Sequence, residues 1–193
     1  MIPTNLFVFT EEPSAKKVFE VLLPKILPEN VYFRILDHQG KQDLENAIQK
    51  TLPSISKMPG VKILVTRDQD SSDCIETKLH LNDLIENGCS CPYLIRIACR
   101  ELESWFLGDL NAVKQAFPRL KPENYAETAD FRDVDNLHRP DEWLLKIIPE
   151  YSGKETLPKI ATSEHIAPFL DLDNNSSVSF NNTISGIRKL VSA

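Results

Sequence analysis

The chain has 193 residues, with 22 Lys+Arg against 28 Asp+Glu and a formal net charge of −6, values of a globular domain and not of a disordered tail. A chain of this length buries roughly 70% of its unfolded surface, so its core needs no disulfide or metal staple. The six glycines, Gly40, Gly60, Gly88, Gly108, Gly153 and Gly186, are all isolated, which excludes a Rossmann fingerprint, a P-loop and a G-x-S-x-G nucleophile elbow.

The first segment, MIPTNLFVFTEEPS, has no basic n-region and no small-residue cleavage site, so neither a signal peptide nor a membrane span is expected and the protein reads as cytoplasmic. Residues 5–9 read as a strand ending in Glu11-Glu12. Ser14 predicts the N-cap of a helix carrying Val18, Val21, Leu22 and Leu23, which Pro24 ends or kinks. Residues 31–36 form a second strand, closed by Asp37 and followed by Gly40-Lys41. That pair is half a P-loop, with Ile35 where the first glycine belongs. Leu44, Ile48 and Leu52 fall at i, i+4 and i+8, the stripe of a helix over 43–52.

Residues 61–66 make a third strand that runs into Asp68-Gln69-Asp70. Asp73 and Glu76 form a variant capping box for a helix over 73–85, with Ile75, Leu79, Leu81 and Leu84 as its apolar face. Residues 93–98 form a fourth strand with Arg96 inside it, followed by Glu101-Leu102-Glu103. A long helix is predicted over 102–117, with Trp105 and Phe106 in the core. After Pro118, residues 119–141 are polar and aperiodic, a long loop of the kind that is functional or mobile. Helices return at 142–148, 159–170 and 178–191. The expected fold class is therefore α/β, a mostly parallel central sheet flanked by helices. Residues 1–118 form its core, and residues 119–193 are a loop and helical elaboration of the same domain.

Cys74, Cys89, Cys91 and Cys99 read as reduced thiols in that compartment. Cys89-Ser90-Cys91 lacks metal or redox spacing, and His38, His80, His138 and His165 form no H-E-x-x-H. No structural zinc is expected.

The informative pattern is where the carboxylates fall: Glu11-Glu12, Asp37, Asp68 with Asp70 and Asp73, then Glu101 and Glu103, each group just after a strand. In an open parallel sheet, ligands sit outside the carboxyl ends of the strands. Carboxylates gathered there repel one another unless a cation compensates. Mg²⁺ or Mn²⁺, which takes one or two carboxylates plus waters and substrate phosphates, suits that role and metal-assisted phosphoryl chemistry. An acidic balance argues against a general polyanion binder, yet a bound cation reverses the sign of a site.

Each residue also has a second reading. Asp68 and Asp70 suit a turn as well as a metal. Asp73 suits an N-cap as well as a ligand, and Glu11 and Glu12 suit the start of a helix. Of Glu101 and Glu103, two apart on a helix, only one is expected to reach the site, and Glu101 is favoured. Lys41 and Lys78 are solvated lysines or candidates to hold a transferring phosphate. Arg96, in an apolar run, calls for a partner, and a carboxylate of the cluster is the one expected.

The strings FVFTEEPSAKKVFEVLLPKIL, HQGKQDL, VKILVTRDQDSSDCIETK, IRIACRELESWFLGD and LPKIATSEHIAPFLDLDNNSSVSF together resemble a bacterial domain-of-unknown-function family regarded as Toprim-like. Such domains are akin to the nuclease domains of topoisomerases, primases and overcoming-lysogeny-defect nucleases. The resemblance implies a Toprim-like fold, with Glu11 as the acidic residue after the first strand and Asp68 and Asp70 as the D-x-D pair. It also implies a setting in mobile-element or phage-defence loci beside an ABC- or SMC-like ATPase. Two positions depart from the Toprim pattern: Glu12 stands where glycine is usual, and Ala15 occupies the second acidic position of the first motif.

The leading expectation is a Mg²⁺- or Mn²⁺-dependent nuclease acting on nucleic acid. Glu11, Asp68, Asp70, Lys41 and Glu101 would carry the chemistry, and Glu11, Asp68, Asp70 and Asp73 would hold the metal. The alternative is a Toprim-like binding or regulatory module without turnover. A phosphatase or glycosyltransferase also places D-x-D after an apolar strand, but Arg67 interrupts the run here and the motif follows the third strand.

Overall fold

Two of the chain's strands are apolar on both faces, and a strand of that kind has to be covered from each side. In the computed structural model, which describes residues 3–192, β1 (Thr4–Thr10), β2 (Val31–Asp37), β3 (Val61–Asp68) and β4 (Tyr93–Ala98) pair in the order β2-β1-β3-β4. Every pairing is parallel. The inner strands are β1 and β3, whose Leu6, Val8, Phe9, Ile63, Leu64 and Val65 are fully buried.

Side chains alternate between two cores. Leu6, Val8 and Leu64 pack with α1 (Pro13–Ile26), while Phe9, Ile63, Val65, Ile95 and Ile97 pack with α2 (Lys41–Lys50), α3 (Leu52–Ile55) and α4 (Cys74–Glu86). The first crossover thus lies on one face and the next two on the other. That reversal puts a topological switch point between the carboxyl ends of β1 and β3, where open α/β sheets place their ligands.

The second half of the chain covers the α1 face. It comprises α5 (Glu103–Leu107), α6 (Leu110–Ala116), α7 (Pro140–Ile147), α8 (Lys159–Ile166) and α9 (Val178–Ser192). Trp105, Phe131, Leu144, Ile166, Phe180 and Ile184 join the same buried cluster as Leu6 and Val8. No helix among the described residues is long and apolar enough to cross a membrane.

Several local expectations change. Residues 102–117 are two helices, because Gly108 runs against Asn175 and Ser177 and Asp109 starts a new helix by accepting from Ala112 N–H at 2.9 Å. A glycine is required there by close approach: a Cβ would meet the Asn175 side chain. The N-cap position of α1 is Glu12, with Pro13 at the first helical position, where its fixed φ fits. Pro24 lies inside that helix and does not end it. The buried stripe of α4 is Thr77, Leu81 and Ile85, whereas Ile75 and Leu79 face solvent.

The segment 119–141 is tied down. Phe131, Val134 and Leu137 are buried, and Asp135 accepts from Ser179 N–H at 2.7 Å and Ser177 Oγ–H at 2.6 Å, holding the start of α9. Ser179 Oγ in turn accepts from the Trp105 indole N–H at 2.9 Å.

Overpacking in a closed site costs roughly 1–3 kcal/mol. Gly108→Ala is therefore expected to lower unfolding free energy by about 2 kcal/mol in urea denaturation with an unchanged slope. Gly153→Ala meets no neighbouring atom, but Gly153 has φ 84°, so there the cost is left-handed backbone strain and not a clash.

Candidate active site

Parallel pairing brings the ends of β1 and β3 side by side, with Thr10 opposite Thr66 and Asp68 opposite Ala98 of β4. The residues that follow are the acidic ones. Glu11 is buried, and its Oε2 accepts from the Asp68 backbone N–H at 3.2 Å and lies 3.7 Å from Arg67 Nε. Arg67, on the α2 face, reaches Glu45 at 3.0 Å. Asp68, one residue on, turns to the α1 face, where α5 and α8 supply its neighbours.

There Lys159, the first residue of α8, stands among carboxylates. Its Nζ is 3.4 Å from Glu101 Oε2, 3.6 Å from Glu103 Oε2 and 3.8 Å from Glu12 Oε2. Glu103 is only 1% exposed, and among the described residues neither of its carboxylate oxygens has a hydrogen-bond partner. A small recess of about 10 Å³ lies between Glu11, Glu12, Ser14, Thr66, Arg67 and Asp68, the room of about one water.

The electrostatics follow from crowding. Burial, reinforced by Asp70, raises the Glu11 pKa against the Asp68 N–H and Arg67. Burial and the neighbouring Glu103 push Asp68 well above the usual carboxylate range. Burial also lifts Glu101, and it lifts Glu103 to about 7 despite the pull of Lys159. Burial works against the Lys159 ammonium, yet Glu103, Glu12, Glu101 and Asp68 outweigh it and hold its pKa above the ordinary lysine value. Burial is the largest cause for each of these carboxyls, and neighbouring carboxylates add to it against the pull of Lys159 and Arg67.

Of the sequence candidates, Glu11, Asp68, Asp70 and Glu101 are brought to one edge. Asp70 sits in a left-handed backbone conformation, φ 54°, with its N–H donated to Arg100 carbonyl at 2.7 Å. It lines a cleft of about 220 Å³ with Ser71, Arg100, Glu101, His138, Arg139 and Pro140. Asp73 caps α4, accepting from Ile75 and Glu76 N–H at 2.8 and 3.0 Å. Asp37 is paired with Lys16 at 2.8 Å, which holds its carboxyl below the usual range.

Lys41 lies on the α2 face, in a hollow with Glu45, Arg67 and His80. Lys78 lines a separate hollow beside Arg96 and Cys99. Among the described residues Arg96 has no carboxylate partner: it donates to the carbonyls of Asn182 and Ile95 and lies across Gly186 of α9, because the even-numbered positions of β4 face that helix.

Two residues escaped the sequence reading. Glu103 reaches the cluster together with Glu101, because Glu101 precedes the helix and the rule for residues two apart on a helix does not apply. Lys159 carries no local signal beyond being a lysine that opens a helix after Pro158. Among the described residues no group of three or more His, Cys, Asp or Glu side chains closes into a ready metal cage. The donor set nonetheless fits a hard cation: it is all carboxylate oxygen, partly buried and short of positive charge. Comparisons of the chain with protein-family profiles, curated proteins and solved structures give no match.

A carboxyl held neutral in the fold stabilises it below the unfolded pKa, 4.5 for glutamate, and that contribution is lost as pH rises through about 7. Wild-type stability is therefore expected to fall between pH 4.5 and 7. Glu103→Gln should flatten that slope and raise stability at pH 8 by on the order of 1–3 kcal/mol, while changing little at pH 4.5. Chemical denaturation across this range measures both.

Proposed function

We propose that the protein is a Mg²⁺- or Mn²⁺-dependent phosphodiester hydrolase acting on nucleic acid, with Glu11, Asp68 and Asp70 as the metal-holding carboxylates. One observation carries the reading: carboxylates following adjacent parallel strands gather at the switch point with too few cations among them. The Toprim-like resemblance in the same ordered motifs supports it. A divalent ion held there would polarise a phosphate and activate water, chemistry these side chains cannot supply alone.

The chain's own residues have distinct parts in this reading. Asp68 and Glu11 would hold the ion, and the Arg67 guanidinium stands 3.7 Å from Glu11 as a countercharge. Arg100 and Arg139, which line the adjoining cleft beside His138, offer the cationic wall along which an anionic strand would lie. Glu101 and Glu103 extend the acidic ring toward α8. A cytoplasmic ABC- or SMC-like ATPase is the partner we propose from the resemblance alone.

A second reading has its own support. Lys159 already reaches three carboxylates, so the fold carries a cation of its own, as a binding module without turnover would.

The two readings separate in a nuclease assay on single- and double-stranded DNA and RNA with Mg²⁺ or Mn²⁺. The hydrolase reading expects cleavage that a chelator abolishes and that Asp68→Asn lowers by about 10²-fold or more. Equal products from wild type and Asp68→Asn would refute it.

A further inference from the structure

We propose that Lys159 is a tethered cation that occupies the carboxylate ring in the metal-free chain and is displaced when a divalent ion enters. The inference rests on the metal-binding reading above and adds to it a built-in competitor.

Three observations support displacement over a permanent structural bridge. The first is geometry. Other lysines of this chain make close ion pairs, Lys16 with Asp37 and Lys17 with Glu164, both at 2.8 Å, as a charge-assisted hydrogen bond should. Lys159 stands 3.4–3.8 Å from each of three carboxylates, and its one hydrogen bond among them, to Glu101 Oε2, is long at 3.4 Å. One ammonium is shared among three carboxylates without a short bond to any.

The second is Glu103. It is 1% exposed and its two oxygens have no hydrogen-bond partner, with Lys159 at 3.6 Å its only countercharge among the described residues. A buried carboxylate so placed is under-compensated, and a double charge with oxygen-seeking coordination serves it better than a single one. The third is freedom to leave. The Lys159 side chain is 31% exposed at the mouth of the ring. Its flexible four-carbon stem lets the ammonium swing into solvent without moving α8.

The test is Mn²⁺ calorimetry on wild type, Lys159→Met and Asp68→Asn. Removing the competitor should tighten Mn²⁺ binding by on the order of tenfold, and Asp68→Asn should abolish it. In wild type, acylation of Lys159 by an N-hydroxysuccinimide ester, followed by mass spectrometry, should speed up several-fold when Mn²⁺ is added. This arm decides the matter if Lys159→Met does not fold. Equal or weaker Mn²⁺ binding by Lys159→Met, or Lys159 labelling unchanged by bound Mn²⁺, overturns displacement and leaves the metal reading intact. No Mn²⁺ binding by either protein refutes the metal reading, and displacement with it.

Discussion

Everything at the acidic edge of this protein depends on one imbalance, an excess of carboxylates gathered where two parallel strands end. The arrangement is a consequence of topology. Parallel strands all finish at the same edge, and in the order β2-β1-β3-β4 the crossovers part between β1 and β3, which makes that place the switch point of the sheet. Residues just past those strand ends must face one another. Evolution of a stable fold alone would favour neutral or paired residues at such a place. Here the chain sets Glu11, Glu12, Asp68, Asp70, Glu101 and Glu103 there, and the cost appears in carboxyls whose protons are hard to remove.

The second half of the chain meets that cost in part. Lys159 is carried by α8, which is held by packing on α1, by the Lys17–Glu164 pair and by the Tyr151–Thr162 hydroxyl contact at 2.8 Å. The helices after residue 118 therefore do more than cover one face of the sheet, because they deliver the cation that makes the acidic edge tolerable. The segment before α7 delivers His138 and Arg139 to the neighbouring cleft. Fold and site are joined through these contacts: the elements that complete the core also complete the electrostatics.

The strands were legible in the sequence because burial on both faces leaves continuous apolar runs, and the acidic edge was legible because those runs end in carboxylates. What stayed hidden was tertiary. Lys159 is distant in sequence from every carboxylate it meets, and nothing in LPKIATSEH distinguishes it from a solvated lysine. Glu103 was set aside by a rule for helical residues that fails when the helix begins one residue too late. Arg96 was assigned a carboxylate partner because charge suggested one, whereas strand alternation turns it to the backbone of α9. The break at Gly108 depends on Asn175, a contact across the fold that helical periodicity cannot contain. Glu11, Asp68 and Asp70 lie at the ends of neighbouring strands, which the order of strands and carboxylates along the chain already implied.

The claim at the centre of this account is that the acidic edge exists to hold a divalent ion. Anomalous diffraction from crystals grown with Mn²⁺ tests it most directly. The account predicts a peak at coordination distance, about 2.1 Å, from Asp68 and at least one of Glu11, Asp70, Glu101 and Glu103. It further predicts that the Lys159 ammonium is withdrawn from the ring. An edge with no anomalous peak, and with Lys159 still lodged among Glu12, Glu101 and Glu103, would contradict it.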